Sequence, residues 1–415
     1  MRHVEKLILF YLVVILTGCH FKKTDDISEG LKASNLRDTV SFAMETENAV
    51  TITVPPPTDN LKASDLFEDF KYIPLESSEK SFMGQYQGLC LYENRIFVHD
   101  IETNMIYIFN LQGKFINKVG KRGNGPGEFF QPESMTVDPF RKQLLVYDTF
   151  IKEMFYFTLD GDFLRSEQMA IRSNQNFKVI SPSLIAFGVG RTRENPQLKE
   201  INKYNIIYTD SALNVRGGVH KGEENYIPHF SLPCFSSNNG QVYYTPPYAS
   251  DIYEFVGDTL VSRFHLDYSK WDNQFNLEKL KELEANKKGG YYYNSIHANT
   301  PVLSSNRFLF FETITEETRD SFHSYYDKVT GKILSFDIYK IEAENDLVFT
   351  TVLASHGDYF IGYVSAEALI YLKEEREKKG IAMKPEISNM IDSLYTDDND
   401  VIVLFKFKPI QKEWN

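Results

Sequence analysis

The residues able to do chemistry are few, and their spacing assembles little. Nine histidines occur, and no two stand at the i, i+4 spacing that sets two imidazoles on one helix face for a metal. His99-Asp100 is the most suggestive dyad, because a carboxylate can orient an imidazole for proton transfer. The same place in a downstream copy of the segment, however, reads Tyr147-Asp148. The aspartate is therefore expected to shape a turn, and His99 is not expected to catalyse. Gly123-Asn124-Gly125-Pro126-Gly127, flanked by Lys121 and Arg122, has the glycine density of a phosphate cradle. It lacks the Gly-Lys-Ser/Thr that would open a helix onto phosphate, and Glu128-Phe129-Phe130-Gln131-Pro132 follows it. A connection between strands is the expectation. No Gly-x-Ser-x-Gly nucleophile elbow is present. The sequence thus names no catalytic residue, no metal ligand set and no cofactor. A metal-dependent lyase or hydrolase stays open only as a site gathered from distant segments.

Binding chemistry is better represented. Trp271, Tyr291, Tyr292 and Tyr293 flank a helix-like stretch. If exposed, they could stack on a sugar ring or a peptide side chain; strand packing would explain them as well. Cys90 and Cys234 lie in strand-like apolar runs, 144 positions apart, and are expected as isolated buried thiols, with pairing in an oxidising compartment as the alternative.

The N-terminus carries an address. Arg2 and Lys6 precede an uncharged run from Leu7 to Leu16, too short to span a bilayer but suited to a secretory signal. Leu16-Thr17-Gly18-Cys19 then resembles the bacterial lipobox, in which the thiol accepts diacylglycerol. Residues 1–18 are expected to be cleaved, Cys19 to be lipidated, and residues 19–48 to form a polar tether. Asp25-Asp26 just past Cys19 resembles an export tag for the cell surface. Lipid anchoring in the outer membrane follows, with the surface slightly favoured over the periplasmic face. Asp38-Thr39-Val40 in the tether resembles an acceptor for periplasmic O-glycosylation, with Thr39 as the acceptor.

Composition sets the outer bounds. Of 415 residues, 42% are hydrophobic and 25% charged, a globular balance that excludes disorder throughout. A net charge of −12 opposes nucleic-acid binding, which needs a basic surface. With 32 Phe and 25 Tyr, the aromatic content leans towards strands.

The elements that must position any site come from a repeat. Ile96–Asp100 matches Leu144–Asp148, and Phe109–Ile116 matches Phe157–Leu164, both at an offset of 48 without a gap. Each unit reads strand, Asp-led turn, strand, glycine hairpin at Gly113 or Gly161, strand. Weaker copies follow at Tyr204–Val219, Gln241–Phe264 and Arg307–Phe336, with Asp358–Val364 and Val401–Phe407 supplying a last, split unit. A period in the forties to fifties with about four short strands predicts a propeller blade. The expectation is an all-β, six-bladed β-propeller over residues 49–411. It is closed by N-terminal strands, Val50–Val54 and Phe70–Leu75, pairing with Val401–Phe407 of the C-terminal blade. Short helical insertions are expected at about 274–288 and 366–394, as buttresses or as a docking surface.

The Lys118–Phe129 segment resembles NHL-type repeats. More broadly, Phe70–Glu76, Gly125-Pro126-Gly127-Glu128-Phe129, Asp251-Ile252-Tyr253 and Asp397-Asp398-Asn399 resemble the six-bladed β-propeller lipoproteins of Gram-negative gut-type bacteria, a family largely without assigned activity. That family often has proline where Asp400 stands. The resemblance implies the fold and an envelope location; it brings no catalytic residues. It implies a binding or assembly module accessory to outer-membrane nutrient uptake. The partners it suggests are the membrane, through the N-terminal lipid, and an outer-membrane transporter or other envelope protein. A peptide or glycan is the expected ligand class.

Overall fold

A computed structural model describes residues 42–123, 125–173, 176–189, 195–221, 233–246, 249–271, 296–298, 301–315, 320–341 and 351–410. Cys19, Thr39, Tyr291, Tyr292, Tyr293 and the first helical stretch lie outside these residues. The described chain is a six-bladed β-propeller. Blade one is the antiparallel series Tyr86–Tyr92, Arg95–Asp100, Met105–Asn110 and Phe115–Val119. Blade two repeats it with Pro132–Asp138, Gln143–Asp148, Glu153–Thr158 and Phe163–Gln168. The 48-residue offset is thus one blade. Blades three and four start at Phe177–Ser181 and Phe235–Asn238, blade five at Ile296–Ala298 followed by Leu303–Ser304, and blade six at Thr351–His356.

Alternation along each strand builds the core. In Gln143–Asp148, Leu145 and Tyr147 face a cluster shared with Phe177, Phe187 and Ile207 of blade three. Leu144 and Val146 face one shared with Phe97 and Ile108 of blade one. Side chains of period two serve both neighbours. Middle strands are therefore apolar on both faces, whereas an outer strand such as Phe163–Gln168 is only partly covered. Six such clusters fill the six spaces between blades. The abundant Phe and Tyr side chains supply much of that filling.

Closure takes one of the two expected strands. Phe67–Pro74 pairs antiparallel with Val401–Phe407, with Lys71 opposite Leu404, and becomes the outer strand of blade six. Asn399 clasps the seam from the turn before Val401. Its amide donates to the Glu76 and Ser81 carbonyls at 2.9 and 2.8 Å and accepts from the Met83 N–H at 2.9 Å.

The second strand is a correction. Val50–Thr53 does not reach Val401–Phe407; it runs parallel to Thr259–Asp267 on the rim of blade four, with Val50 opposite Phe264. The reason is edge availability. Both edges of Val401–Phe407 are taken, by Tyr359–Val364 and Phe67–Pro74, while the outer edge of blade four is free to be covered. Pro55, Pro56 and Pro57 then carry the chain on in extended form, and the Thr58 N–H meets the Ser335 carbonyl of blade five at 2.8 Å. Residues 50–74 thus form a strap across three blades.

The helices Ala366–Lys378 and Pro385–Asp392 sit between two strands of blade six. Ser365 Oγ accepts from the Ala368 N–H at 3.2 Å, an N-cap. Leu369 and Ile391 are buried in the cluster between blades five and six, with Ile387, Met390 and Leu394 against it. On this face the helices are a buttress.

Candidate functional site

The first strands of all six blades wall a cavity on the propeller axis, with a volume of about 740 Å³. It reaches the hairpin end of the blades, where Glu93, Phe140, Asn239 and His356 surround its mouth. Depth in this cavity can be counted in strand pairs from each hairpin turn. The third pair places Cys90, Thr136, Lys178, Ser236 and Ala354 at one level in blades one, two, three, four and six. All five line the cavity. In blade five the inner strand is broken between Ile296–Ala298 and Leu303–Ser304, and among the described residues no paired residue stands at this level. The belt is thus a thiol, two hydroxyls, a methyl and one amine.

The fifth pair lies deeper. There Gly88 stands opposite His99, and Ser134 occupies the matching place in blade two. Gly88 has no side chain, so His99 of the second strand also lines the cavity. His99 Nε2 and Ser134 Oγ are buried and have no hydrogen-bond partner among the described residues. His99 is 2% and Ser134 8% exposed, so both orphaned groups carry a desolvation cost unless something in the cavity meets them.

Burial governs ionisation here. It holds the His99 imidazole at about 4, against the upward pull of Asp100. It brings His323 to about 4 as well, although Glu312 and Asp337 draw it upward, and it lowers His356. At neutral pH the cavity histidines are uncharged. Desolvation also lowers the Lys178 ammonium and raises the Cys90 thiol, and each of these two groups opposes the other's shift. Lys178 is the one Lys or Arg among the described lining residues.

The dyad His99-Asp100 resolves as expected from the repeat. Asp100 accepts from the backbone N–H groups of Gly84, Gln85 and Glu102 at 3.1, 2.9 and 3.0 Å, and from Thr103 Oγ1 at 2.7 Å. Asp148 does the same for Phe130, Gln131 and Phe150 at 2.6, 2.9 and 2.9 Å. Both carboxylates tie the inter-blade connection to a turn. The glycine segment is also a connection: the Gly125 N–H is taken by Glu128 at 2.9 Å, which holds that carboxyl below its usual range. An acid stands where phosphate would have to sit.

Trp271 does not line the cavity. Its indole N–H donates to the Val54 carbonyl at 2.9 Å and its ring packs on Phe322 and Tyr268, pinning the strap to blade four. Cys90 and Cys234 are both free thiols, the first facing the cavity and the second buried. Among the described residues no three His, Cys, Asp or Glu side chains gather closely enough to hold a metal. None of their helices is long and apolar enough to cross a membrane. Sequence reasoning missed Lys178, Ser134, His323 and His356 as a group. Their only signal is register, and register appears once pairing is known.

Residues 49–406 match the model of a domain of unknown function, DUF4934. No curated protein matches the sequence. Among solved structures, a candidate exported protein of Bacteroides fragilis NCTC 9343 is similar with a TM-score of 0.71 at 15% identity, over 88% of this chain and 100% of that one. A member of the DUF4221 family from Bacteroides vulgatus ATCC 8482 has a TM-score of 0.47 at 9% identity, over 83% and 97% of the two chains. At such identities the first likeness speaks for the fold alone.

Proposed function

The chain belongs to the DUF4934 family, whose domain has no assigned function, and from that footing we propose that it is a binding module of the cell envelope. In this reading Cys19 carries the lipid, and residues 19–48 hold the propeller off the outer membrane. The axial cavity takes a small ligand on behalf of an envelope partner such as an outer-membrane transporter. The observation that carries the reading is the cavity itself: about 740 Å³, of the size that buries a small molecule, with two buried polar groups facing it unpartnered. Its preformed wall of six strands supports recognition better than chemistry. The lyase or hydrolase alternative would need metal ligands converging from several blades at the cavity mouth.

Export is supported by the Leu16–Cys19 motif. Cys19→Ala is expected to abolish lipid labelling and release the protein from membranes; membrane retention would overturn the anchor. Native mass spectrometry of the protein released from mildly solubilised membranes tests the module. A retained small molecule or a stable envelope partner is the expected result, and bare protein the result that defeats it.

A further inference from the structure

The third-pair belt of the cavity breaks its own pattern at one place. Four of its five residues are small and neutral: Cys90, Thr136, Ser236 and Ala354. Structurally equivalent positions in a propeller share an environment, since each inner strand meets the axis in the same way. Lys178 occupies that environment with an ammonium on a four-carbon stem. Its amine has no hydrogen bond or ion pair among the described residues. Ser236, by contrast, is satisfied, donating to the Val302 carbonyl at 2.6 Å.

A positive charge in such a site is costly unless an anion meets it. The acids on the wall are placed elsewhere. Glu93 is at the mouth and pairs with Lys142 at 2.8 Å, and Glu312 accepts from Ser321 Oγ on blade five. Glu133 lines the wall next to Ser134. Two pairs deeper, the unpartnered His99 Nε2 and Ser134 Oγ offer hydrogen bonds to the same space. The walls between these polar points are apolar, with Leu89, Met135, Val179 and Leu353.

Resting on the cavity reading above, we propose that the axial cavity recognises a small molecule bearing a carboxylate, with Lys178 as its counter-charge and Ser134 and His99 as the deeper hydrogen-bonding groups. A carboxylate fits better than a phosphate. Lysine is a point charge, whereas a doubly charged phosphate calls for several converging donors or an arginine fork. Two sources carry the group, an acidic sugar and the C-terminus of a short peptide.

Matched probes separate the sources and isolate the charge. Glucuronate is compared with glucuronamide, and N-acetylalanylalanine with its C-terminal amide, by titration calorimetry on the full chain. At least one acid is expected to bind tenfold or more tightly than its amide. Lys178→Met should erase that preference and Lys178→Arg should keep most of it. Cys90 reports location, because it lines the same belt: the bound acid should slow its alkylation by N-ethylmaleimide. Acid and amide binding alike while protecting Cys90 would overturn the assignment of Lys178 and leave the cavity reading intact, as would a preference that survives Lys178→Met. Failure of all four probes to bind would overturn both.

Discussion

At the scale of single residues, burial sets the chemistry and also its sensitivity to acid. His99 and His323 titrate near 4 in the fold, against about 6.5 in an unfolded chain. Between those values the unfolded state binds more protons. Their contribution to stability is therefore full above about pH 6.5 and is lost as pH falls towards 4. The ceiling is about 3 kcal/mol for each histidine. Asp400 runs the other way: burial raises its carboxyl to about 6, so acidification through that value relieves a buried charge. Two histidines outweigh one aspartate, and urea midpoints should fall between pH 7 and pH 4.5. His99→Gln should remove most of that fall; an unchanged fall would mean that His99 is not held neutral by the fold. Little of this was legible in the sequence. His99 drew notice only beside Asp100, and the repeat rightly gave Asp100 to a turn. Lys178, in Phe177–Ser181, is one lysine among the many of the chain until pairing reveals that its equivalents are all neutral.

At the scale of elements, the hairpins were the most legible feature, because glycine at a turn and alternation in the flanking strands are local properties. Gly113 and Gly161 do hold the predicted positive φ, at 77° and 93°. The structure adds that each turn is seated on the preceding blade. A methyl group at Gly113 would collide with the backbone carbonyl of Pro74 in blade six, and one at Gly161 would press on the side chains of Asn117, Val119 and Ile108 in blade one. Side chains can shift where a strand backbone in a closed sheet cannot. Gly113→Ala is therefore expected to cost about 2–3 kcal/mol and Gly161→Ala about 1–2 kcal/mol. Denaturant midpoints check the order, and equal midpoints would refute the role of the Pro74 contact. The destination of Val50–Thr53 was not legible. Its residues specify a strand well enough, but a strand pattern does not name its partner, which depends on the edges left free once six sheets have formed.

At the scale of the whole molecule, the ring has one seam, and the sequence showed which termini must meet there because an open propeller would leave two unpaired edges. The seam is Phe67–Pro74 on Val401–Phe407, locked by Asn399. Two proline substitutions compare it with the strap. Lys71→Pro removes a backbone donor from the closing strand, and Thr51→Pro does so on the rim of blade four. Lys71→Pro is expected to lower the melting temperature by more than 10 °C or abolish cooperative melting, and Thr51→Pro to lower it by only a few degrees. Equal shifts would deny the seam its special role.

The strap also decides how the propeller bears a load. Any pull on the chain ahead of Phe42 arrives first at Met44–Glu45 and then at Val50–Thr53, both paired to the rim of blade four, and not at the seam. Val50–Thr53 lies parallel to Thr259–Asp267, and Trp271 holds the next residue, Val54, from the side. The ring closure at Phe67–Pro74 lies further along the chain than this attachment, so a load from the N-terminal side meets blade four before it can reach the seam.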